Sequence, residues 1–155
     1  MVNHLIENYI DEAISLELNV SNLYFRFFEL FPEDARFWWE IMIEEKNHAA
    51  LLKSLKLAVH VIGNAPEEIL ALQTDDIREM NESIVQITRS FSKEDSRRDA
   101  FEIALKIEQS AGEAHFQTFI QSQNISEEYK IFQKLNLDDK DHLSRLRSYI
   151  SENKI

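Results

Sequence analysis

Three observations predict that this chain is all-α and folds as a four-helix bundle of two helical hairpins. Its 155 residues include only two glycines and two prolines, whereas strand-rich folds need such turn residues often. Apolar residues recur at steps of three and four over long stretches, which is the spacing of an amphipathic helix. Few breaking sequences interrupt these stretches. We therefore expect one domain over residues 1–155, with a crossover of roughly 30 residues between the hairpins that carries an extra helix.

Proline and glycine bound the first two helices. Helix one is predicted from about Val2 to Leu30, and it ends near Phe31-Pro32 because proline disfavours helix in the residue before it. Pro32 in turn suits the first turn of helix two. That helix is predicted to run to about Ile62, where the sequence Gly63-Asn64-Ala65-Pro66 breaks it.

The rest of the chain contains three further amphipathic stretches. One lies within residues 67–91 and belongs to the crossover. Ser92 and Asp95 resemble a capping box, which predicts a helix from about Lys93 to Gln123. Ser126 is suited to cap the last helix, which extends to about residue 152.

Composition excludes several classes of function. The formal net charge of −11 argues against nucleic acid and anionic membranes as partners, since both require a basic face. The absence of cysteine excludes disulfides, thiolate metal sites and cysteine nucleophiles. The first residues lack the basic start and apolar run of a signal peptide, and no apolar run approaches the ~18–20 residues of a membrane span. We therefore expect a cytoplasmic protein.

Each long helix carries one acidic residue in the middle of its apolar stripe, and two helices add a histidine three residues later. The acidic residues are Glu17, Glu45, Glu108 and Asp139, and the histidines are His48 and His142. Side chains at i and i+3 of a helix point into the same space. Each half of the chain thus contains a carboxylate followed by carboxylate-x-x-His: Glu17 stands 28 positions before Glu45, and Glu108 stands 31 positions before Asp139.

Four buried carboxylates need compensating cations, because desolvating even one ionised carboxylate is very costly. Two divalent metal ions would balance their charge, and two imidazoles complete a mixed oxygen and nitrogen ligand set. Such a set suits iron or manganese, while zinc and copper also bind imidazole well. Ferritin-like di-iron and di-manganese bundles use this arrangement of ligands.

On these residues the chain resembles the ferritin-like superfamily, and EEKNHAALL at residues 44–52 is similar to the second-helix motif of the rubrerythrins. The resemblance implies two iron ions, with manganese or zinc as alternatives. It makes Glu17 and Glu108 the single-carboxylate ligands, and it pairs Glu45 with His48 and Asp139 with His142. It also implies that Tyr24 lies beside the metals as a hydrogen-bond donor, the alternative being an aromatic core residue.

The activity implied by the resemblance is a rubrerythrin-like oxidoreductase that reacts with O2 or hydrogen peroxide. Because there is no cysteine, the rubredoxin-like domain of full rubrerythrins is absent, and electrons would come from a separate donor protein. A homodimer is compatible with the likeness. The alternative functions are iron binding or storage with ferroxidation as its entry step, and a structural bundle with a relic or zinc-filled site.

The sequence departs from the family pattern at two positions and leaves two roles open. Asp139 replaces the usual Glu and is one methylene shorter, which predicts a more loosely held metal or an extra water; Asp138 is the alternative ligand. Ala111 stands where rubrerythrins carry a further carboxylate, which weakens the case for peroxidase chemistry. His115 either orients a ligand from outside the metal's own shell or is a hydrogen-bonded core histidine.

Overall fold

The structure is a computed structural model, and it describes residues 2–62, 74–115 and 127–155. Within these ranges every long element is an α-helix and no strand occurs, which confirms the predicted all-α class. The predicted break at 63–66, the end of the third long helix near Gln123 and the cap at Ser126 lie outside the described residues. No described helix is both long and apolar enough to cross a lipid bilayer.

The described residues form five α-helices and one short 3-10 turn, in this order. The helices are α1 (Val2–Leu30), α2 (Ala35–Ile62), α3 (Thr74–Ser90), α4 (Arg97–His115) and α5 (Glu127–Asn153). The 3-10 turn spans Pro32–Asp34, between α1 and α2. The chain divides into two compact units, a first unit of residues 1–91 and a second unit of residues 92–155. That the two units form one domain stays a prediction.

In the first unit, α1 and α2 form the predicted antiparallel hairpin. The hydroxyl of Ser21 donates to the carbonyl of Met42 at 3.0 Å, and the ammonium of Lys56 donates to Asp11 at 2.6 Å. Earlier residues of α1 thus contact later residues of α2, so the two helices are antiparallel. The 3-10 turn Pro32–Asp34 connects the two helices. Proline both ends α1 and fixes the backbone for the turn, so the hairpin follows from local sequence.

The third helix packs on α1 through a polar cluster that we call the amide network, formed by Glu12, Asn19, Arg78 and Asn81. The side-chain amide of Asn81, 7% exposed, donates to the backbone carbonyl of Glu12 at 3.0 Å and accepts from the amide of Asn19 at 2.9 Å. Arg78 donates to the Glu12 carboxylate at 3.1 Å. Nearer the end of both helices, Arg26 donates to the carbonyl of Phe91 at 3.3 Å. The contacts advance along both helices together, so α3 runs in the same direction as α1.

Aromatic side chains fill the core of the first unit at the end near the 3-10 turn. Trp38 is fully buried. Its ring centroid lies 5.0 Å from that of Phe27, 5.3 Å from Phe37 and 5.6 Å from Tyr24. Phe91, just beyond α3, meets Phe27 edge-on at 4.8 Å. Such ring pairs add about 0.5–1.5 kcal/mol each beyond the area that they bury, so this end of the unit is tightly held.

In the second unit, α4 and α5 form the other predicted hairpin, again antiparallel. Phe101 near the start of α4 stacks on Tyr149 near the end of α5, with ring centroids 5.5 Å apart. Further along α4, Glu108 meets His142 at an earlier position on α5. Ala104 and Leu135 are fully buried. The apolar stripes of both helices therefore face each other, as their periodicity predicts.

The predicted start of α4 is wrong by four residues. The backbone N–H of Ser92 does donate to Asp95 at 2.7 Å, but this pair closes a turn instead of opening the helix. The capping box is formed by Ser96 and Asp99: the Ser96 N–H donates to the Asp99 carboxylate at 2.8 Å, and the Asp99 N–H donates to the Ser96 hydroxyl at 3.1 Å. Two Ser-x-x-Asp sequences follow one another, and the second caps the helix.

Candidate metal centre

Two helices bring Glu17, Glu45 and His48 together inside the first unit. Glu17 lies in the middle of α1, and Glu45 and His48 lie one helical turn apart on α2; their exposures are 7%, 3% and 2%. The Nδ1 atom of His48 is 3.4 Å from an oxygen of Glu17 and 3.4 Å from an oxygen of Glu45. One ligand atom from each residue lies within 4.8 Å of the other two. The antiparallel packing of α1 and α2 thus assembles a compact, buried oxygen and nitrogen set.

The spacing of these atoms fits a bound ion. Two ligand atoms about 2.1 Å from one metal ion are about 3.0–3.4 Å apart at octahedral or tetrahedral angles. The two 3.4 Å separations at His48 therefore need little adjustment. The buried cluster can hold a metal ion, and its carboxylate and imidazole ligands do not identify which one.

The electrostatics of the cluster favour a cation at its centre. Burial lowers the pKa of His48, but hydrogen bonds and charge from Glu17 and Glu45 outweigh it and raise the pKa to about 11. Without metal, the imidazolium form is therefore favoured between the two carboxylates. A bound metal ion and this proton are alternatives, since a ligating imidazole must give up the proton on its ligating nitrogen.

The second unit buries the matching residues Glu108, Asp139 and His142. Their exposures are 3%, 5% and 0%. The Nδ1 atom of His142 on α5 lies 3.6 Å from an oxygen of Glu108 on α4. Asp139 and His142 are separated by one turn of α5, as Glu45 and His48 are on α2. Burial of two carboxylates and an imidazole follows the predicted stripes on both helices.

The neighbouring aspartates on α5 have different surroundings. Asp139 is 5% exposed. Asp138 accepts a 2.6 Å hydrogen bond from Lys134, and its side chain is 32% exposed. An aspartate already balanced by a surface lysine has less need of a metal. The burial difference supports Asp139 as the ligand, and its role stays a prediction.

Tyr24 and Ser21 lie on the same face of α1 as Glu17. Tyr24 is fully buried against the rings of Phe27 and Trp38, which suits an aromatic core residue; its role as a hydrogen-bond donor stays a prediction. Ser21, one turn after Glu17 on α1, was not among the predicted site residues. Its hydroxyl bonds to the carbonyl of Met42, so it ties α1 to α2 one turn from Glu17 and one turn from Glu45. The signal in the sequence was a small polar residue one turn after the predicted ligand Glu17 and one turn before Tyr24.

Two other sequence expectations cannot be followed to the side chain. The backbones of Ala111 and His115 lie in α4, and their side chains lie outside the described part of the structure.

Comparison with protein-family models, with curated proteins and with solved structures finds no match for this chain. The resemblance to the ferritin-like superfamily therefore stays a prediction from the sequence.

Proposed function

We propose that the chain is a ferritin-like di-metal carboxylate protein that binds two metal ions, preferentially iron, and reacts with O2 or peroxide. The observation that carries this proposal is the buried cluster of Glu17, Glu45 and His48, whose ligand atoms are spaced to surround a cation. A surface metal site or a chance acidic cluster would not place two carboxylates and an imidazole at 7% exposure or less.

The second metal is supported by the repeat in the sequence. Glu108, Asp139 and His142 follow the order of the first set, on the equivalent pair of helices, and all three are buried. Four carboxylates match the charge of two divalent ions. The grouping of both sets into one two-metal centre is part of the proposal and rests on this repeat.

In the proposed reaction the protein supplies metal ligands, a site from which water is excluded, and a hydrogen-bond donor. Reduced metal ions held by Glu17, Glu45, His48 and the matching residues of the second unit would supply the electrons for reduction of O2 or peroxide. Glu17 and Glu45 hold and charge-balance the ions, His48 contributes the nitrogen ligand, and the surrounding apolar side chains exclude water. The Tyr24 hydroxyl is assigned as a hydrogen-bond donor. A separate protein supplies electrons, since the chain has no cysteine for an iron–sulfur or rubredoxin-type centre.

Stopped-flow mixing of the ferrous protein with O2 or peroxide tests the proposal. We expect oxidation faster than that of free ferrous iron in the same buffer, and we expect His48→Ala to return it to the free-iron rate. Asp138→Ala is the matched control, because this carboxylate pairs with Lys134, and it should keep the rate of the unmodified chain. Oxidation at the free-iron rate in the unmodified chain would refute the redox function.

Two further measurements separate the alternatives. Metal analysis of protein purified without added metal distinguishes a redox centre from a zinc-filled structural site, because stoichiometric zinc with no oxidase or peroxidase activity would indicate the latter. Light scattering addresses storage, because a monomer or dimer cannot enclose a mineral core. A large assembly would favour iron storage with ferroxidation as its first step.

A further inference from the structure

An open groove of about 370 Å³ lies between α1 and α2 of the first unit. It is lined by Asp11 and Ile14 of α1 and by Lys53, Lys56, Leu57 and His60 of α2. The candidate metal residues are not part of this lining. Sites for small molecules have volumes of about 300–1,000 Å³, so the groove has room for a small organic ligand.

Aliphatic groups form much of the groove surface. Ile14 is 8% exposed and Leu57 is 64% exposed, and the methylene stems of Lys53 and Lys56 add aliphatic surface beside them. Covering such surface with an apolar group removes it from water, which is favourable. The lining contains no aromatic ring, so the groove suits a ligand with an aliphatic body.

The charged residues of the lining leave one positive charge for a ligand. The ammonium of Lys56 donates to both carboxylate oxygens of Asp11, at 2.7 and 2.6 Å, so these two charges balance. The Nδ1 atom of His60 lies 3.0 Å from the carboxylate of Glu7. Lys53 is exposed, and it forms no ion pair with any residue that the structure describes. Its ammonium is therefore available to an anion.

This part of α2 is also where the chain repels anions least. The sequence has 28 acidic residues, yet none occurs from residue 46 to residue 66, the longest stretch without one. Within that stretch Lys46 and Lys53 are both exposed, and they lie about two turns apart on one side of the helix. A small anion is therefore attracted to this side of α2, although the net charge of the chain is −11.

We propose that the groove binds a small monocarboxylate with a short aliphatic body. The carboxylate pairs with the ammonium of Lys53, and the body covers Leu57 and Ile14. One uncompensated ammonium matches one negative charge, which favours a monocarboxylate over a polyanion, and a neutral molecule of the same shape lacks the Coulomb attraction. The site is independent of the metal function, because its lining shares no residue with the candidate metal sets.

Titration of octanoate into the metal-free full chain tests the site, with methyl chemical shifts measured by NMR. We expect saturable shifts of the Ile14 and Leu57 methyl groups and none of Leu137, an exposed leucine of the second unit at 66%. Octan-1-ol keeps the body without the charge and should bind at least about threefold more weakly. Acetate keeps the charge without the body and should bind at least about tenfold more weakly.

Three variants should change the affinity in opposite directions. Lys53→Gln removes the available ammonium, and Leu57→Ser removes the aliphatic surface, so each should weaken octanoate binding at least about threefold. Asp11→Asn should instead strengthen it about threefold, because the ammonium of Lys56 is then released to the ligand.

Lys106→Gln and Leu137→Ser are the matched controls, since both residues are exposed in the second unit. Both controls should keep the affinity of the unmodified chain, and circular dichroism checks that the helices persist in every variant. The absence of saturable shifts at Ile14 and Leu57 in about 10 mM octanoate would overturn the proposal. So would octan-1-ol that binds as tightly as octanoate, equal losses in Lys106→Gln and Lys53→Gln, or weaker binding by Asp11→Asn.

Discussion

The two units carry related carboxylate–histidine sets in different surroundings. In the first unit His48 lies 3.4 Å from two glutamates, and the rings around Trp38 pack along the same two helices. In the second unit His142 lies 3.6 Å from Glu108, and its partner one turn earlier is the shorter Asp139. Similar carboxylate-x-x-His motifs therefore have different distances and neighbours in the two units. If the two sets bind metal as proposed, we expect the first set to hold it more tightly and the second to exchange it more readily.

The largest expected effect concerns the aromatic packing of the two units. Trp38, the larger side chain, packs among the rings of Phe27, Phe37 and Tyr24, and Phe101 stacks on Tyr149. Trp38→Ala should lower the free energy of unfolding by about 5 kcal/mol and Phe101→Ala by about 3 kcal/mol. Urea unfolding followed by circular dichroism measures both. If Phe101→Ala costs as much as Trp38→Ala, the first unit is not the more tightly packed one.

Metal-dependent stability should divide between the two sets. At a free metal concentration of about 100 times Kd, a bound ion stabilises the native chain by about 2.7 kcal/mol. His48→Ala or Glu45→Ala should remove most of the resulting rise in Tm, whereas His142→Ala should remove a smaller part of it. Asp138→Ala should keep the full rise. An unchanged rise in His48→Ala would mean that the metal binds elsewhere.

Lengthening Asp139 should make the second set more like the first. Asp139→Glu restores the methylene that Glu45 has, so we expect metal affinity at the weaker position to increase about tenfold, or ~1.4 kcal/mol. Competition against a chromophoric chelator measures the change. Asp138→Glu, on the exposed side of α5, provides the control and should leave both affinities as they were. Weaker binding in Asp139→Glu would show that the shorter side chain is required.

The smallest expected effect distinguishes how the units begin their helices. The turn before α2 uses Pro32, which does not titrate, whereas α4 begins at Ser96 and Asp99. Hydrogen bonds from Ser96 hold the pKa of Asp99 below its ordinary value of 3.8. A depressed folded-state pKa stabilises the protein above the unfolded-state pKa, and this contribution is lost as the pH falls through the lower folded value.

Thermal melts from pH 2 to pH 6 test this difference. The Tm of the unmodified chain should exceed that of Asp99→Asn by a constant amount above about pH 4, and the two should converge at lower pH. Asp95→Asn is the matched control, because Asp95 closes a turn, and its Tm difference should be smaller. A Tm gap for Asp99→Asn that persists at pH 2 would contradict the assigned cause.

Local sequence predicts the helices well where one strong signal acts alone. Pro32 fixes the end of α1 within a residue. The start of α4 was predicted at the wrong serine because Ser92 and Ser96 each precede an aspartate by three residues. The choice depends on tertiary contacts: Phe91 is held by the ring of Phe27 and by a hydrogen bond from Arg26. A window of neighbouring residues does not contain that information.

For the candidate metal residues, too, the sequence predicted the local features but not those that depend on tertiary packing. Helical periodicity was enough to predict that Glu17, Glu45 and His48 face inward, because each interrupts an apolar stripe. It could not predict that His48 would lie equally close to both glutamates, since this depends on how α1 and α2 are set along each other. The hydrogen bond from the Ser21 hydroxyl to the backbone carbonyl of Met42 helps to fix the position of α1 along α2. Because every residue has a backbone carbonyl, the sequence does not indicate which one accepts this bond.

The amide network between α1 and α3 gives the third helix a unique position. An apolar stripe that repeats every turn tolerates sliding by about 5.4 Å with little loss of contact. Such a slide would separate Asn81 from Asn19 and from the carbonyl of Glu12, leaving a nearly buried amide without the bonds it makes now, at a cost of about 1–3 kcal/mol. Apolar packing alone would give several positions of α3 along α1 similar free energies. The hydrogen bonds of the amide network stabilise one of these positions over the others.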